Sequence, residues 1–347
     1  MRAAPAGFRK AGHMSQIPVV NLSPALTGAS TGAGTGADAG GGAASVVAEL
    51  RRALADVGFL QVVGHGVPAV LVDAAYATMD QVAALPDDER RALVRPRASQ
   101  RGLFERIDDQ GRVLSRALQF ITYDDLAAAE ADGAVGGHPD YFVPNVWPEQ
   151  LPGFRAPWLR YAEATRRLAR TLMSLFAMAL ELPADYFAAP FAKDVTLFSA
   201  NFYPPQPVDA DHEDVLLRAH ADSGGLTVLH QRGDYEGLQL RGLSGEWTTV
   251  PVRADAFVIN IGHLLSRWTN GRYPATVHRV VAGPTPANQR QSIATFFLPN
   301  VDTVVTPVPT MVGPEGPRFE PITAYDWQLQ FMEKYVLTNT YAEPATA

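Results

Sequence analysis

Two imidazoles and one carboxylate, His220, Asp222 and His278, are the residues of this chain whose types and spacing can hold a metal ion. That donor set, with coordination positions left open, suits a non-haem ferrous centre of the kind that activates oxygen. His220 and Asp222 stand two residues apart, and positions i and i+2 of a β-strand share a face, so both can reach one ion from one strand end. His278 lies far enough along the chain to come from a different strand of the same sheet. Arg290 follows, with Ser292 at i+2, which sets a guanidinium fork and a hydroxyl on one strand face near the metal. The chain has no cysteine, so disulfides and thiolate ligands are excluded and a metal must be held by nitrogen and oxygen.

The elements that must position these residues follow from pattern. From Thr196 onward, short runs of β-branched and aromatic residues alternate with turns, predicting strands at Thr196–Tyr203, Leu226–His230, Leu238–Arg241, Thr248–Pro251, Ala256–Ile259, His278–Ala282 and Ser292–Phe297. Many short strands with Gly/Pro turns read as a jelly roll. Earlier in the chain, Ile17–Leu22 reads as an edge strand and Phe59–Val63 as a second strand. Helices are predicted from Ser45 to about Val57, from Ala69 to Leu85 and from Pro86 onward, the first with Val46, Leu50, Ala53, Leu54 and Val57 as its apolar stripe. Ala156–Leu182 is the clearest helix, its stripe including Leu159, Ala162, Leu168, Leu172, Leu175, Phe176 and Ala179. Tyr325–Tyr335 reads as a C-terminal helix, and Gln100–Tyr123 as an irregular segment.

The order His-x-Asp, His, Arg-x-Ser resembles the isopenicillin N synthase-like family of Fe(II)/2-oxoglutarate-dependent oxygenases. Flanking residues agree: Asn201-Phe202-Tyr203-Pro204-Pro205, Gly237-Leu238-Gln239-Leu240, Asn260-Ile261-Gly262, His278-Arg279-Val280, and, near the N-terminus, Gly58-Phe59 with Val62 and His65-Gly66-Val67-Pro68. His263 is a departure, since the family often carries aspartate after Asn-Ile-Gly. The resemblance implies a mainly β fold with flanking α-helices, a double-stranded β-helix (jelly roll, cupin-like). It implies His220, Asp222 and His278 as Fe(II) ligands, and 2-oxoglutarate and dioxygen as cosubstrates. Arg290 then suits the 5-carboxylate, because a planar fork can bond both oxygens. Ser292 adds a hydroxyl, and Asn201 and Tyr203 contact the cosubstrate by resemblance. Arg101, Phe104, Arg116 and Phe297 are candidate substrate contacts. The reaction implied is oxidation of an unactivated C–H bond of a small molecule, by hydroxylation, desaturation or ring formation, with release of succinate and carbon dioxide. Thr295-Phe296-Phe297-Leu298-Pro299-Asn300 resembles the cephalosporin ring-expanding relatives but is too short to name a substrate; an amino-acid-derived or other secondary metabolite, in antibiotic biosynthesis, is the expectation for the family.

The remaining histidines carry blander readings: His65 as a turn residue, His230 as a core or rim residue, His212 as part of a solvated acidic loop, and His263 as a local hydrogen-bonding group. Because histidine must be neutral to ligate, iron affinity is expected to fall below the free imidazole value of roughly 6.5.

Composition sets the outer bounds. With 47% apolar and 19% charged residues the chain has ample material for a core. A net charge of −7 without a long basic run argues against nucleic acid or an anionic membrane as partner. No apolar run of spanning length and no signal-peptide pattern are seen, so a cytoplasmic protein with no obligate protein partner is expected. One domain is expected over residues 16–340, its jelly-roll core at about 196–300, with a flexible Gly/Ala-rich insertion at 27–44 and a tail at 341–347. Residues 1–15 read as a tag or disordered extension, Gly12-His13-Met14 resembling a cloning scar and Met14 a natural start. Two other readings stand beside the first. One is an Fe(II) oxidase of the isopenicillin N synthase or aminocyclopropane-carboxylate oxidase type that uses no 2-oxoglutarate. The other is a non-catalytic jelly-roll binding module, whose expected damaged triad is absent.

Overall fold

The computed structural model describes residues 17–27, 37–95, 99–206, 215–242 and 245–337. The predicted extension 1–15, the tail 341–347, His212 and residues 28–36 of the Gly/Ala-rich run lie outside the described residues.

The N-terminal half supplies β1 (Val19–Asn21), α1 (Ser23–Thr27), α2 (Ala37–Asp56), β2 (Phe59–Val63), α3 (Ala69–Ala83), α4 (Asp87–Arg91), β3 (Gly102–Ile107), β4 (Val113–Ile121), α5 (Leu126–Asp132) and α6 (Arg155–Ala179). The C-terminal half supplies β5 (Leu197–Tyr203), β6 (Val215–His220), β7 (Leu226–Gly233), β8 (Leu238–Arg241), β9 (Trp247–Thr249) and β10 (Phe257–Ile261). There follow α7 (His263–Trp268), β11 (His278–Val281), β12 (Arg290–Phe297), β13 (Val304–Val305), β14 (Ile322–Thr323) and α8 (Ala324–Phe331). An eight-stranded sheet runs β1-β2-β10-β7-β12-β5-β4-β3, and a four-stranded sheet runs β6-β11-β8-β9.

Alternation along the strands builds two apolar layers. Phe198, Ala200, Phe202, Val228, Ile259 and Ile293 of the large sheet pack outward with Leu50, Tyr76, Trp158, Leu168 and Leu172 of the helices. Phe59, Tyr203 and Val258 face inward and meet Leu216, Leu238, Leu240 and Val280 of the small sheet. Polar inward positions interrupt this inner layer on both sides of Val258: Asn260 and Thr227 on one, Gln231, Ser292, Asn201 and Arg290 on the other.

Several elements differ from expectation for identifiable reasons. The helix predicted from Ser45 begins at Ala37, so residues 37–44 of the predicted flexible insertion are helical. The alanines favour this extension and Gly40, Gly41 and Gly42 oppose it, so it rests on elongating an existing nucleus and on the packing of α1 against α2, where Gly42 lies against Pro24. The helix ends as expected: Gly58 sits at φ +69 and its N–H donates to the Ala53 and Leu54 carbonyls. A side chain there would also meet the Pro274 carbonyl oxygen at 2.5 Å. On α6 the buried face is Trp158, Tyr161, Thr165, Leu168, Leu172 and Phe176, while Leu159, expected in the stripe, is 44% exposed. The segment expected to be irregular is a hairpin, β3 with β4, that continues the large sheet beyond β5. Its outward positions carry Glu105 and Arg116, paired at 2.7 Å, and these charges hide the period-2 signal. β6, for which no strand was predicted, forms the edge of the small sheet.

One buried ion cluster fastens α6 to the start of β5. Asp194, with no exposed side-chain surface, accepts from Arg166 Nε (2.8 Å) and Nη2 (2.7 Å) and from Arg170 Nη2 (2.7 Å). Asp194→Ala is expected to cost about 3 kcal/mol of stability, the lower end of the range for orphaning a buried partner, because Arg166 keeps some contact with water. Denaturant unfolding of the variant measures this, and a loss under about 1 kcal/mol would mean that the cluster behaves as a surface ion pair.

Candidate metal and cosubstrate site

β6 and β11 lie side by side in the small sheet with His220 opposite His278. The chain leaves β6 at His220, turns through Ala221, and brings Asp222 back beside both rings. One ligand atom from each of His220, Asp222 and His278 lies within 4.8 Å of the others. Asp222 Oδ1 is 3.7 Å from His220 Nε2 and 3.6 Å from His278 Nε2.

The surroundings fix which atoms face this point. His220 Nδ1 lies 2.8 Å from the Arg218 carbonyl oxygen and His278 Nδ1 lies 3.2 Å from that of Thr276. A carbonyl only accepts, so Nδ1 carries the proton and the Nε2 lone pair is left for the ion. Asp222 Oδ2 accepts from Thr227 Oγ1 (2.6 Å) and Asn260 Nδ2 (2.7 Å), which leaves Oδ1 to the ion. Burial would raise the Asp222 pKa, but the imidazoles of His278 and His220 and the bonds from Thr227 and Asn260 outweigh it and hold the carboxyl below its usual range.

The turn that carries Asp222 is clamped from below. Gly262 N donates to the Gly225 carbonyl and His263 N to the Asp222 carbonyl. A Cβ on residue 262 would come 2.2 Å from the Gly224 carbonyl oxygen, so only glycine fits. α8 closes the other side: Trp327 Nε1 donates to the Ser223 carbonyl at 3.0 Å, and Ser223 Oγ donates to Gln328 Oε1 at 3.0 Å.

On the inward face of the large sheet, β12 pairs Arg290 with Tyr203 and Ser292 with Asn201 of β5. The Arg290 guanidinium lies over the Tyr203 ring at 5.0 Å. Asn201 Nδ2 donates to Ser292 Oγ at 3.4 Å, and Ser199 and Gln119 continue this polar row across β5 and β4. Arg290 is 1% exposed, its Nε is buried without a partner, and its Nη1 makes only a 3.5 Å contact to Ser292. A buried guanidinium with unspent donors fits a planar anion. Three N/O ligands with their lone pairs turned to one point fit an open-sided ferrous site. The residues thus fit both iron and a cosubstrate with a terminal carboxylate.

The structure separates the four substrate candidates. Phe104 is half-buried on the inward face of β3. Phe297 is not there: it points outward, fully buried, stacked on Phe191 at 4.5 Å. Its neighbour Phe296 takes the inward place, a one-residue slip that reverses the face. Arg116 also faces outward, held by Glu105. Arg101, 2% exposed, donates to the carbonyls of Ser99, Gln100 and Tyr141, so it ties the entry of β3 to the Tyr141 segment. Sequence reasoning missed Thr227, Gln231 and Arg106. Arg106 alternates with Leu103 onto the inward face, close enough for its charge to act on His220. The signal for all three was their i+2 spacing on strands.

Burial also changes the expected titration. It lowers the His220 pKa, with the neighbouring His278 adding to the effect, so proton competition for this ligand begins below the free imidazole value. Burial likewise lowers His230, and takes His263 down to about 4. Each folded-state value lies below the unfolded one. The stability contribution is thus complete above about 6.5 and is lost as pH falls toward about 4, because the unfolded chain takes up the protons first. The melting temperature of the metal-free protein is expected to drop between pH 7 and pH 5, less so for His263→Asn. A flat profile would contradict the burial of neutral histidines.

Comparison with known proteins agrees with this geometry. Residues 195–299 match the 2OG-Fe(II) oxygenase superfamily model, and residues 17–150 match the model of the N-terminal region of non-haem dioxygenases in morphine synthesis. The chain is 30% identical over 311 residues to homoarginine-6-hydroxylase 2-ODD-C23 of Glycine max, covering 85% of this chain and 89% of that protein. It is 30% identical over 295 residues to the 2-oxoglutarate-Fe(II) type oxidoreductase hxnY of Emericella nidulans, covering 82% of each. Among solved structures, a 2OG-Fe(II) oxygenase family protein from Caulobacter crescentus superposes with a TM-score of 0.76 at 23% identity, over 91% of this chain and 98% of that one.

Proposed function

The chain belongs to the 2OG-Fe(II) oxygenase superfamily, and from that premise we propose the role of each residue in its site. It is an Fe(II)- and 2-oxoglutarate-dependent dioxygenase acting on a small molecule. The fold is the double-stranded β-helix with flanking helices. No helix among the described residues is long and apolar enough to cross a membrane.

His220, Asp222 and His278 hold the iron. Arg290, with Ser292, takes the 5-carboxylate of 2-oxoglutarate, and Asn201 and Tyr203 line its path. The observation that carries this reading is the convergence of one ligand atom from each of three residues within 4.8 Å, beside a buried arginine with open donors. The bound iron and cosubstrates supply oxidation of an unactivated C–H bond, with succinate and carbon dioxide released. The protein's share is positioning. Thr227 and Asn260 hold Asp222 so that one oxygen faces the ion. The Arg218 and Thr276 carbonyls hold both rings in the ligating tautomer. The inward-facing Phe59, edge-on to His278 at 5.4 Å, shields that ligand from water.

The substrate proposed is an amino-acid-derived or other secondary metabolite, entering along the face of β3 that carries Phe104 and Arg106. The relative named for homoarginine hydroxylation supports an amino-acid scaffold. The likeness to a relative named as a 2-oxoglutarate-Fe(II) type oxidoreductase favours this reading over the oxidase that does without 2-oxoglutarate, and the intact triad favours it over the binding module. The test is a screen of amino acids and peptide-like metabolites with Fe(II), 2-oxoglutarate and air, read by substrate-dependent succinate and by the mass of the product. Product gain of one oxygen, or loss of two hydrogens, is expected with one of them. Succinate that stays at the uncoupled background across amino acids, while another compound class stimulates it, would overturn the amino-acid scaffold.

A further inference from the structure

We infer that Gln231 sets the orientation of Arg290 and, being neutral, keeps the guanidinium charge unspent for the far carboxylate of the cosubstrate. This rests on the reading of Arg290 as cosubstrate anchor and adds the residue on which that anchor depends.

Gln231 lies on the inward face of β7, opposite Ser292 of β12, and is 1% exposed. Its amide can sit only one way round. Nε2 donates to the Pro251 carbonyl oxygen at 2.9 Å, and a carbonyl cannot donate back. Oε1 is thereby turned to Arg290, accepting from Nη2 at 2.9 Å. Pro251 is itself held, because Gln61 Nε2 donates to the same carbonyl at 2.8 Å from the neighbouring part of the sheet. Two buried glutamines thus converge on one carbonyl, and one of them passes the constraint on to the guanidinium.

The chemistry of the partner matters as much as its place. Among the described residues no carboxylate pairs with Arg290, and the group that holds it is neutral. Gln231 takes one N–H of the fork and none of its charge. Nε, without a partner, and Nη1, with a 3.5 Å contact, remain for a ligand. Glutamate has the same shape but would neutralise the guanidinium from within the protein, leaving a ligand carboxylate with no cation to meet. An amide orients the arginine without competing for it.

The test compares the parent protein with Gln231→Glu and Gln231→Leu. Each is titrated anaerobically, with Fe(II) present, against 2-oxoglutarate and against 2-oxopentanoate, which has the same chain length and a methyl in place of the far carboxylate. Binding is read by calorimetry and by the metal-to-ligand absorption band, with a melting curve alongside. Gln231→Glu is expected to lower 2-oxoglutarate affinity on the order of a hundredfold, while 2-oxopentanoate stays within a factor of about three. Gln231→Leu, which releases the guanidinium without neutralising it, is expected to cost 2-oxoglutarate about tenfold. A merely structural role would lower the melting temperature and weaken both acids alike, which overturns the inference. So does a glutamate variant that binds 2-oxoglutarate as the parent does. Arg290→Ala in the same titration separates the two readings. If it keeps parental affinity, the anchor itself is misplaced. If it loses affinity while Gln231→Glu does not, only the orienting role fails. Should the glutamate variant not fold, the two acids measured on Gln231→Leu decide the matter by the same ratio.

Discussion

Asp222→Ala is expected to abolish turnover and to leave the protein unable to hold iron at stoichiometry, while the fold survives. Asp222 contributes the only carboxylate of the three-residue cluster, with Oδ1 at 3.6 Å and 3.7 Å from the two Nε2 atoms. Without it two imidazoles remain, a set that no longer fixes three adjacent positions. The variant also strands Thr227 Oγ1 and Asn260 Nδ2, each at a cost of about 1–3 kcal/mol. Loss of a buried carboxylate and its desolvation penalty offsets part of this. Iron per chain, succinate formation and the melting temperature should be measured together. Full activity with iron still at stoichiometry would sink the assignment. Thr227→Val and Asn260→Ala give a graded control. They keep the ligand but free its outer oxygen, so affinity for iron should fall about 10–100-fold rather than vanish.

Arg290→Ala is expected to weaken 2-oxoglutarate binding by a hundredfold or more, from roughly 3–5 kcal/mol for removing one partner of a buried charge pair. Iron affinity should hardly change, because Arg290 is not a ligand. Arg290→Lys should lie between, since lysine offers a point charge where the fork offers parallel donors. Ser292→Ala should cost less, about 1.5–3 kcal/mol for a hydroxyl bonded to a charged group. The anaerobic titration followed by the metal-to-ligand band measures all of these. An Arg290→Ala protein that binds 2-oxoglutarate as tightly as the parent places the anchor elsewhere.

Much of the site could be read along the chain, because ligation and anion binding restrict residue type severely. Few residue types offer this chemistry, and strand alternation carries Arg290 and Ser292 of β12 to one face, whereas Asp222 lies past the end of β6 and reaches the two imidazoles through a turn, not through the i, i+2 alternation expected for it. What alternation could not supply was phase where its signal was broken. Phe296 and Phe297 are adjacent aromatics, and either could face inward. The pairing of β12 with β5, seven residues in register, decided for Phe296. Arg116 had the same ambiguity until Glu105 was placed opposite it across β3 and β4. The β3–β4 hairpin itself was hidden because its outward face carries charges in place of an apolar period.

The sequence by itself determined the chemistry: which ions and ligands the side chains can meet, that no thiolate takes part, and that short strands with turns must build a jelly roll. The family to which the chain belongs was legible from the spacing of those same residues. Only the tertiary structure decided the second partners. Thr227 and Asn260 come to Asp222 from β7 and β10, and Gln231 comes to Arg290 from β7, fixed by Pro251 beyond β9. None of these residues has an identity rare enough to announce a role, since threonine, asparagine and glutamine are ordinary anywhere in a chain. Their roles arise because a buried polar atom must find a partner, and which partner it finds depends on strand register and sheet closure, quantities that no local stretch of sequence contains.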